Sequence, residues 1–263
     1  MTERDGNQRI ALVTGGTSGI GLEIVRRLAG AGTPVHLCGR HEETVNGTVK
    51  ELAGEGLPVT GSVCDVRDPQ QIRELVRTVV EDHGPVRILV NNAGRNGGGV
   101  TAELDDELWT DVIETNLTSV FRVTKEVLTT GGMREAGHGR IVNIASTGGK
   151  QGVVLAAPYS ASKHGVVGFS KALGLELAKT GITVNAVCPG FVETPMAQRV
   201  REGYAAAWGV TEQEAFDRIT TRVPMGRYVT VREVAAMVEY LVGDDAQAVT
   251  AQALNVCGGL GNY

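Results

Sequence analysis

The segment Thr14-Gly15-Gly16-Thr17-Ser18-Gly19-Ile20-Gly21 decides the fold, because it joins a short apolar run to an amphipathic stretch. The apolar run, residues 10–13, is predicted as a strand, and residues 20–28, which carry an apolar stripe, as a helix. Glycines let such a turn come close to a pyrophosphate, whose charge then meets the free N–H groups of the helix start. Any tight strand–helix turn can use glycines, but a glycine turn that opens a βαβ unit is the context that dinucleotide binding requires.

The same alternation of apolar runs and helical periodicity continues along the whole chain. Further strands are predicted at residues 35–38, 59–64, 88–90, 141–144, 183–187 and 253–256. Further helices are predicted up to Leu52, at residues 70–81, through Trp109 and Phe121, and at residues 159–178 and 234–241. Continuous apolar strands separated by helices indicate parallel strands that are buried on both faces. The sequence therefore predicts an α/β fold: a single-domain Rossmann-type doubly wound parallel sheet of about seven strands flanked by helices, over residues 1–263.

One connection, residues 191–228, reads as long and irregular, and segments of that kind usually form lids or binding loops. We expect it to be a substrate lid region.

Composition narrows the class of protein. With 42% hydrophobic and 21% charged residues the chain is typical of soluble globular proteins, and its net charge of −5 gives no indication of nucleic acid or an anionic membrane as partner. No run is long enough to cross a bilayer, and residues 1–9 are polar, without the apolar stretch of a signal peptide. Four cysteines stand far apart, with no metal-binding spacing, and are expected to be buried reduced thiols: Cys38, Cys64, Cys188 and Cys257. The expected compartment is the cytoplasm, and no metal is expected.

The residue after the second strand indicates which dinucleotide is bound. Folds that prefer NAD place an acid there, on the ribose 2′-hydroxyl, whereas NADP-binding folds favour an arginine. Arg40 occupies this position, which favours NADPH. Glu42 and Glu43 are alternative acids, but they lie past the strand end and are typical of the first turn of a helix. Asp65, at the end of the third strand, is expected to reach the adenine or to cap the next segment, and the two roles are compatible.

Polar residues with chemical potential follow the fourth and fifth strands. Asn91-Asn92-Ala93-Gly94 and Ser146 lie at the carboxyl edge of the sheet, where ligands bind in this architecture. Tyr159 and Lys163 are four residues apart on a predicted helix and therefore share a face. A neighbouring ammonium favours the phenolate, so we expect the pKa of Tyr159 to fall from about 10 toward neutrality. Tyr159 would then be a general acid for a carbonyl oxygen.

These features occur together in one order. The ordered set is the glycine turn, Asn91-Asn92-Ala93-Gly94, Asn116, Ser146, Tyr159, Lys163 and Pro189-Gly190. From Ala11 onward the chain resembles the short-chain dehydrogenase/reductase family. The resemblance implies a catalytic tetrad of Asn116, Ser146, Tyr159 and Lys163. In that family the tyrosine donates a proton, the serine hydrogen-bonds the carbonyl and developing alkoxide, the lysine also holds the nicotinamide ribose, and the asparagine anchors a relay water.

The resemblance, together with the glycine turn and Arg40, also gives the expected contacts to NADPH. They are Gly15, Thr17, Ser18, Gly19, Ile20, Gly21, Arg40, Asp65, Val66, Asn92, Gly94, Lys163, Pro189, Gly190, Val192 and Thr194.

The second half of the chain is similar to a narrower group, the ketoreductases of bacterial aromatic (type II) polyketide synthases. The similar segments are residues 144–153, 215–219 and 255–263. This resemblance implies a poly-β-ketoacyl chain on an acyl carrier protein, reduced at one ketone, by family habit C9. Where such enzymes commonly carry Pro-Gly-Gly, this chain has Asn96-Gly97-Gly98, so the handedness of the alcohol stays open.

Several residues are candidates for the substrate side. Arg40, Arg67 and Arg95 each follow a strand end, so they are expected to ring one rim of the sheet. The planar guanidinium suits phosphate, and we expect Arg67 and Arg95 to meet the phosphopantetheine phosphate or the acidic carrier, although ordinary solvated arginines are an equal alternative.

Other candidates lie nearer the ketone. Gln151 and Val153, between Ser146 and Tyr159, are expected to wall the pocket. Tyr204 is assigned to the substrate, whereas Trp208 and Phe216 are expected to pack within the lid.

Two other functions are considered. The nearer is a 3-oxoacyl-[acyl-carrier-protein] reductase of fatty-acid synthesis or another short-chain alcohol dehydrogenase. The more distant is a non-catalytic NADP-binding regulator, which would be expected to lack the tyrosine or the lysine. The family resemblance also implies a homotetramer built through the Tyr159–Lys163 helix. The small residues Ser160, Ala161, Ser162 and Gly165 would permit close helix approach, or would pack inside one subunit.

Overall fold

The computed structural model describes residues 9–261 and 263. The polar segment on which the signal-peptide argument rests lies, except for Arg9, outside the described residues. The strands are β1 Ile10–Thr14, β2 Val35–Gly39, β3 Val59–Val63, β4 Val86–Asn91, β5 Gly139–Ile144, β6 Ile182–Pro189 and β7 Ala253–Val256. The helices are α1 Gly19–Gly30, α2 Glu42–Gly54, α3 Pro69–His83, α4 Asp106–Ile113, α5 Ser119–Leu128, α6 Ala157–Glu176, α7 Pro195–Trp208, α8 Glu212–Thr221 and α9 Val231–Val242.

The strands form one parallel sheet in the order β3-β2-β1-β4-β5-β6-β7. Every residue of β1, β5 and β6 is buried, as expected for strands covered on both faces. The order reverses between β1 and β4, and a crevice opens at such a point beyond the carboxyl ends of the strands. The predicted fold is confirmed, and the topology fixes the edge at which ligands bind.

Helices cover both faces of the sheet. The apolar sides of α1, α2 and α9 pack on one face and those of α3, α5 and α6 on the other. Helix α1 contributes Ile24, Val25 and Leu28 to the first layer, and this spacing of three and four residues is the amphipathic pattern seen in the sequence. This packing holds the glycine turn rigidly at the sheet edge.

The expectation of an irregular segment at residues 191–228 is wrong, because the segment contains α7 and α8. Thr194 caps α7 by accepting a hydrogen bond from the N–H of Ala197, and Gly209 ends it in the left-handed conformation, with φ of 64°. Thr211 and Glu214 form a reciprocal capping box at the start of α8. Local capping chemistry therefore starts and ends two helices in a segment that was expected to be irregular.

The long helical stretch through Trp109 and Phe121 is divided. A π-helical turn, Glu114–Thr118, separates α4 from α5. Such turns are frequent at functional sites, and this one contains Asn116.

The four cysteines are free and buried, as expected. Among the described residues, no helix combines the length and the apolar character needed to cross a membrane.

Candidate active site

The glycine turn and the start of α1 form the first part of the site. Gly15 has φ of 65°, and a Cβ atom at Gly21 would lie 2.2 Å from the carbonyl oxygen of Gly15, so both positions require glycine. Ser18 is the N-cap residue of α1, but its side chain makes no capping hydrogen bond. Because the first N–H groups of a helix have no partners within the helix, they are left to an anion. The side-chain amide of Asn92 donates to the carbonyls of Thr14 and Gly15 at 3.0 and 2.9 Å and so ties this turn to β4.

The predicted cofactor residues after β6 lie over the glycine turn. A Cβ atom at Gly19 would lie 3.4 Å from the methyl carbon of Thr194. The N–H of Gly190 donates to the carbonyl of Val256 at 3.0 Å, and Val192 bridges to Val229. The edge after β6 is thus fixed by β7 and faces the start of α1.

The predicted adenosine end lies after β2 and β3. A Cβ atom at Gly39 would lie 3.0 Å from the methyl carbon of Thr17, so the glycine turn packs against the end of β2, next to Arg40. The carboxylate of Asp65 accepts hydrogen bonds from the guanidinium of Arg67, which hold the pKa of Asp65 below its usual value, with a smaller contribution from the charge of Arg40. Asp65 does not cap α3. The cap is Asp68, which accepts from the N–H of the second helical residue at 2.7 Å.

Ser146 and Tyr159 flank Gly148. The Oγ atom of Ser146 accepts a hydrogen bond from the N–H of Gly148 at 3.0 Å, which leaves its hydroxyl proton free to donate. A Cβ atom at Gly148 would lie 3.3 Å from this Oγ and 3.4 Å from Cε1 of Tyr159. The absence of a side chain at this glycine therefore keeps open the space between the two hydroxyl-bearing residues.

Lys163 lies beneath Tyr159 and is only 5% exposed. Its Nζ atom donates to the carbonyl of Ile144 at 2.8 Å and lies 5.8 Å from the centre of the Tyr159 ring. Burial lowers the pKa of Lys163 to about 8. The ammonium is therefore held by the end of β5, with its charge disfavoured by its surroundings.

The expected fall in the pKa of Tyr159 is wrong. Burial raises the pKa of this phenol, and a hydrogen bond with Ser146 opposes the rise only in part. The physical reason is that burial removes the hydration of the phenolate, and this loss outweighs the hydrogen bond with Ser146. Tyr159 therefore holds its proton at neutral pH.

Asn116 completes the group from the π-helical turn. Its amide donates to the carbonyl of Arg95 at 2.9 Å and to Oγ of Ser162 at 3.1 Å, and its Oδ1 accepts from the N–H of Arg95 at 2.8 Å. A Cβ atom at Gly94 would lie 3.3 Å from Oδ1 of Asn116 and 3.7 Å from Nζ of Lys163. The side chain of Asn116 thus fixes the loop after β4, and its anchoring of a water stays a prediction.

The predicted pocket wall lies beside Ser146. A Cβ atom at Gly148 would lie 3.0 Å from a methyl carbon of Val153. The N–H of Gln151 donates to the carbonyl of Thr147 at 3.1 Å, which keeps this segment folded against the serine. Both residues are half-buried, in keeping with a wall open to a ligand on one side.

The aromatic side chains of residues 191–228 mostly pack on one another. Tyr204 stacks on Trp208 with ring centres 4.7 Å apart, and Phe216 lies 4.9 Å from Tyr228. The hydroxyl of Tyr204 donates to the carbonyl of Val154 at 3.3 Å and so links α7 to the wall segment. These contacts agree with packing roles for Trp208 and Phe216, and they give Tyr204 a structural contact in addition to its predicted one.

The expectation that Arg67 and Arg95 are free for phosphate needs correction. Both guanidiniums pair with one carboxylate, that of Asp111 on α4, and the distance from Arg67 is 2.6 Å. Arg67 and Asp111 also line a cavity of about 660 Å³. Six of the residues that line it are carboxylic acids: Asp65, Asp68, Asp106, Glu107, Asp111 and Glu114. Arg67 therefore lies among negative charges, which no pattern in the sequence indicated.

The comparisons with known proteins agree with this geometry. Residues 9–205 match the family model described as short chain dehydrogenase. A protein of Streptomyces violaceoruber, named as ketoacyl reductase 1 of the granaticin polyketide synthase, is 73% identical over 254 residues, which cover 97% of this chain and 93% of that protein. The 3-oxoacyl-[acyl-carrier-protein] reductase of Escherichia coli is 38% identical over 252 residues, which cover 96% of this chain and 97% of that protein.

A solved structure also matches. The crystal structure of an actinorhodin polyketide ketoreductase variant with NADPH superposes with a TM-score of 0.96 at 70% identity and covers 98% of each chain. Sequence, fold and site geometry lead to the same assignment, and the chain belongs to the short-chain dehydrogenase family.

Proposed function

We propose that this chain is an NADPH-dependent ketoreductase of aromatic polyketide biosynthesis. Its substrate is a poly-β-ketoacyl chain tethered to an acyl carrier protein, and one ketone, that at C9, is reduced to the alcohol. The convergence of Ser146, Tyr159 and Lys163 at the sheet edge, beside an uncapped helix start, carries the proposal. The names of the polyketide relatives support the substrate class.

The residues at this edge fit NADPH. Only glycine fits at positions 15 and 21, so the turn leaves room for a ligand to approach the backbone. The unpartnered N–H groups at the start of α1 suit a pyrophosphate. Arg40 follows β2, where its planar fork suits a 2′-phosphate. When bound, NADPH supplies the hydride that reduces the ketone.

The chain's own residues supply the proton and the orientation. The hydroxyl of Ser146 donates a hydrogen bond to the ketone oxygen when the substrate is bound. Tyr159, whose raised pKa keeps it protonated, gives its proton to the same oxygen as negative charge develops there. Lys163 stabilises the phenolate that remains, and this charge arises only during the reaction, so the interaction favours the transition state.

Replacing Tyr159 with Phe tests the mechanism. The variant keeps the ring and its packing but removes the proton, so we expect NADPH oxidation with a bicyclic ketone such as a decalone to fall at least about 100-fold. Binding of NADPH, measured by its fluorescence, is expected to change by less than about twofold because the phenol is not needed for ground-state binding. Near-normal turnover by the variant would refute the proton-donor role.

Substrate choice separates the proposal from its rivals. A polyketide reductase is expected to turn over bicyclic ketones better than linear β-ketoacyl thioesters, whereas a fatty-acid enzyme shows the reverse preference. Tight NADPH binding with no oxidation by any ketone would favour a non-catalytic regulator. Reconstitution with a polyketide synthase and its carrier, followed by product analysis, tests whether the ketone at C9 is the one reduced.

We also propose that Arg95 and Arg67 meet the carrier or its phosphopantetheine phosphate. The guanidiniums of both arginines pair with the carboxylate of Asp111, and the phosphate would replace this carboxylate when it binds. Replacing Arg95 with Ala is then expected to raise KM for carrier-linked ketones and to leave small free ketones unaffected. Equal losses on both substrates would defeat the docking role.

A cytoplasmic homotetramer completes the proposal. Exposed apolar residues on the α4–α6 side support association there: Trp109 is 46%, Phe121 50% and Leu175 72% exposed. By contrast, Ser162 and Gly165 pack inside the subunit, the latter against Leu117. Light scattering of the purified protein gives the mass, and a monomer would refute this arrangement.

A further inference from the structure

Lys150 connects the turn after β5, which begins at Ser146, to β7 and the residues that follow it. Its ammonium donates to the carbonyl of Ala253 at 2.8 Å, to Oδ1 of Asn255 at 2.9 Å and to the main-chain oxygen of Tyr263 at 3.2 Å. The ring of Tyr263 lies beside it, with its centre 5.4 Å from Nζ. An ammonium has three donors, and each is matched here by an oxygen from one short stretch of chain. The charge is therefore held in a fixed place on β7 and the segment after it.

The turn that carries Lys150 begins at Ser146. The N–H of Gly149 donates to the carbonyl of Ser146 at 2.9 Å, and the N–H of Lys150 donates to that of Thr147 at 3.0 Å. On its other side the turn presses on α6, because a Cβ atom at Gly149 would lie 2.5 Å from the carbonyl oxygen of Lys163. The turn is thus held between α6, the helix that carries Tyr159 and Lys163, and the residues that follow β7.

The C-terminal segment, residues 257–261, is fixed in turn by the region after α8. The N–H of Met225 donates to the carbonyl of Gly258 at 3.0 Å. A Cβ atom at Gly258 would lie 2.8 Å from a methyl carbon of Val223. Asn255, an acceptor for Lys150, also donates to the carbonyl of Gly261 at 2.9 Å. Two of the oxygens around the ammonium, those of Ala253 and Asn255, therefore belong to a well-packed unit.

We propose that Lys150 is a positioning residue, which fixes the turn after β5 so that the hydroxyl of Ser146 faces the ketone oxygen. It acts through the turn and touches neither the substrate nor NADPH. Without the ammonium, Ser146 keeps its place at the end of β5, but the turn that donates to its Oγ loses its outer support. The inference rests on the proposed role of Ser146 in binding the ketone.

A double-mutant cycle tests the inference. Lys150→Met keeps the length of the side chain and removes its charge, and we expect kcat to fall about 10-fold with NADPH affinity changed by less than about twofold. In a Ser146→Ala background the same substitution is expected to change the rate by less than about twofold, because no serine hydroxyl remains to be positioned. Rates of NADPH oxidation are measured at high enzyme concentration. Lys50→Met, on an exposed position of α2, is the matched control and should leave kcat unchanged.

The outcomes separate this inference from the proposed function. Similar losses from Lys150→Met in both backgrounds, or a parallel loss of NADPH affinity, would mean that Lys150 supports the fold in general, and would overturn the inference alone. Near-normal turnover by Ser146→Ala would overturn the role of the serine and the inference with it. If Lys150→Met does not fold, Asn255→Ala, which removes one of the three acceptors, enters the same cycle. It is expected to lower kcat by a smaller factor, again only when Ser146 is present.

Discussion

Replacing Lys163 with Met should make the ligand-free protein more stable while it removes activity. Burial lowers the pKa of Lys163 from 10.5 to about 8, so at pH 7 the folded protein carries a charge that its surroundings disfavour. At about 1.4 kcal/mol per pH unit, this difference amounts to about 3 kcal/mol. Methionine has a similar length and no charge, but it leaves the carbonyl of Ile144 without its donor, at a cost of about 1–2 kcal/mol. The variant should therefore unfold with a free energy about 1–2 kcal/mol higher at pH 7.

The dependence on pH distinguishes this cause from general packing effects. Between pH 8 and 10.5 the unfolded chain binds the lysine proton and the folded protein does not, so the wild type gains stability as the pH rises through this window. The variant lacks this gain, and its advantage should shrink by about 2 kcal/mol between pH 7 and 9.5. Urea unfolding at several pH values, with equal protein concentrations, measures both free energies. Lys171→Met, exposed on the same helix, is the control and should show no such trend. A gap that stays constant or widens with pH would refute the reasoning.

Three further predictions concern the glycines and a buried histidine. A Cβ atom at Gly21 would lie 2.2 Å from a carbonyl oxygen of the glycine turn, so Gly21→Ala should weaken NADPH binding at least about 10-fold in a fluorescence titration. Gly30→Ala is the control on the same helix and should leave NADPH binding unchanged, because the space around Gly30 is open. A Cβ atom at Gly98 would lie 2.0 Å from the carbonyl oxygen of Leu155, so Gly98→Ala should push the loop after β4 away from the segment that follows Val153. Because Val153 is a predicted wall of the substrate site, we expect a higher KM for the ketone in steady-state assays. Burial lowers the pKa of His36 from 6.5 to about 4, so the wild type should lose about 3 kcal/mol of unfolding free energy as the pH falls from 6.5 to 4. Urea unfolding at several acidic pH values should show this dependence in the wild type and not in His36→Gln.

The elements that define the fold were predictable because their signals are local. Mostly apolar runs predicted the seven strands of the described residues to within a few residues, because strands covered on both faces favour apolar residues. Strand β3 is the exception, since Thr60, Gly61 and Ser62 are neither apolar throughout nor fully buried. The spacing of Tyr159 and Lys163 placed both on one helix, α6. Helices α7 and α8 were not predicted, although Thr194-Pro195 and the Thr211–Glu214 capping box are local signals for helix starts.

Other properties of the site depend on contacts between distant parts of the chain. Arg67 and Asp111 are 44 positions apart, and Lys150 and Asn255 are 105 apart, so no local pattern relates them. The pKa of Tyr159 depends on how much water the fold removes, and spacing alone suggested the wrong direction. Sequence thus predicted the candidate reacting groups, whereas their electrostatics required the structure.

Burial acts on Tyr159 and Lys163 in opposite senses and yet favours one direction of reaction. It raises the pKa of the phenol and lowers that of the ammonium, so in both cases the neutral form gains. Reduction of a ketone starts from a neutral phenol that gives up a proton, while oxidation of an alcohol starts from a phenolate, the species that burial disfavours. Because the same desolvation that destabilises the charged lysine keeps the proton on the tyrosine, the ligand-free site is preorganised for reduction at neutral pH. Alcohol oxidation by this site should consequently require a more alkaline pH than ketone reduction.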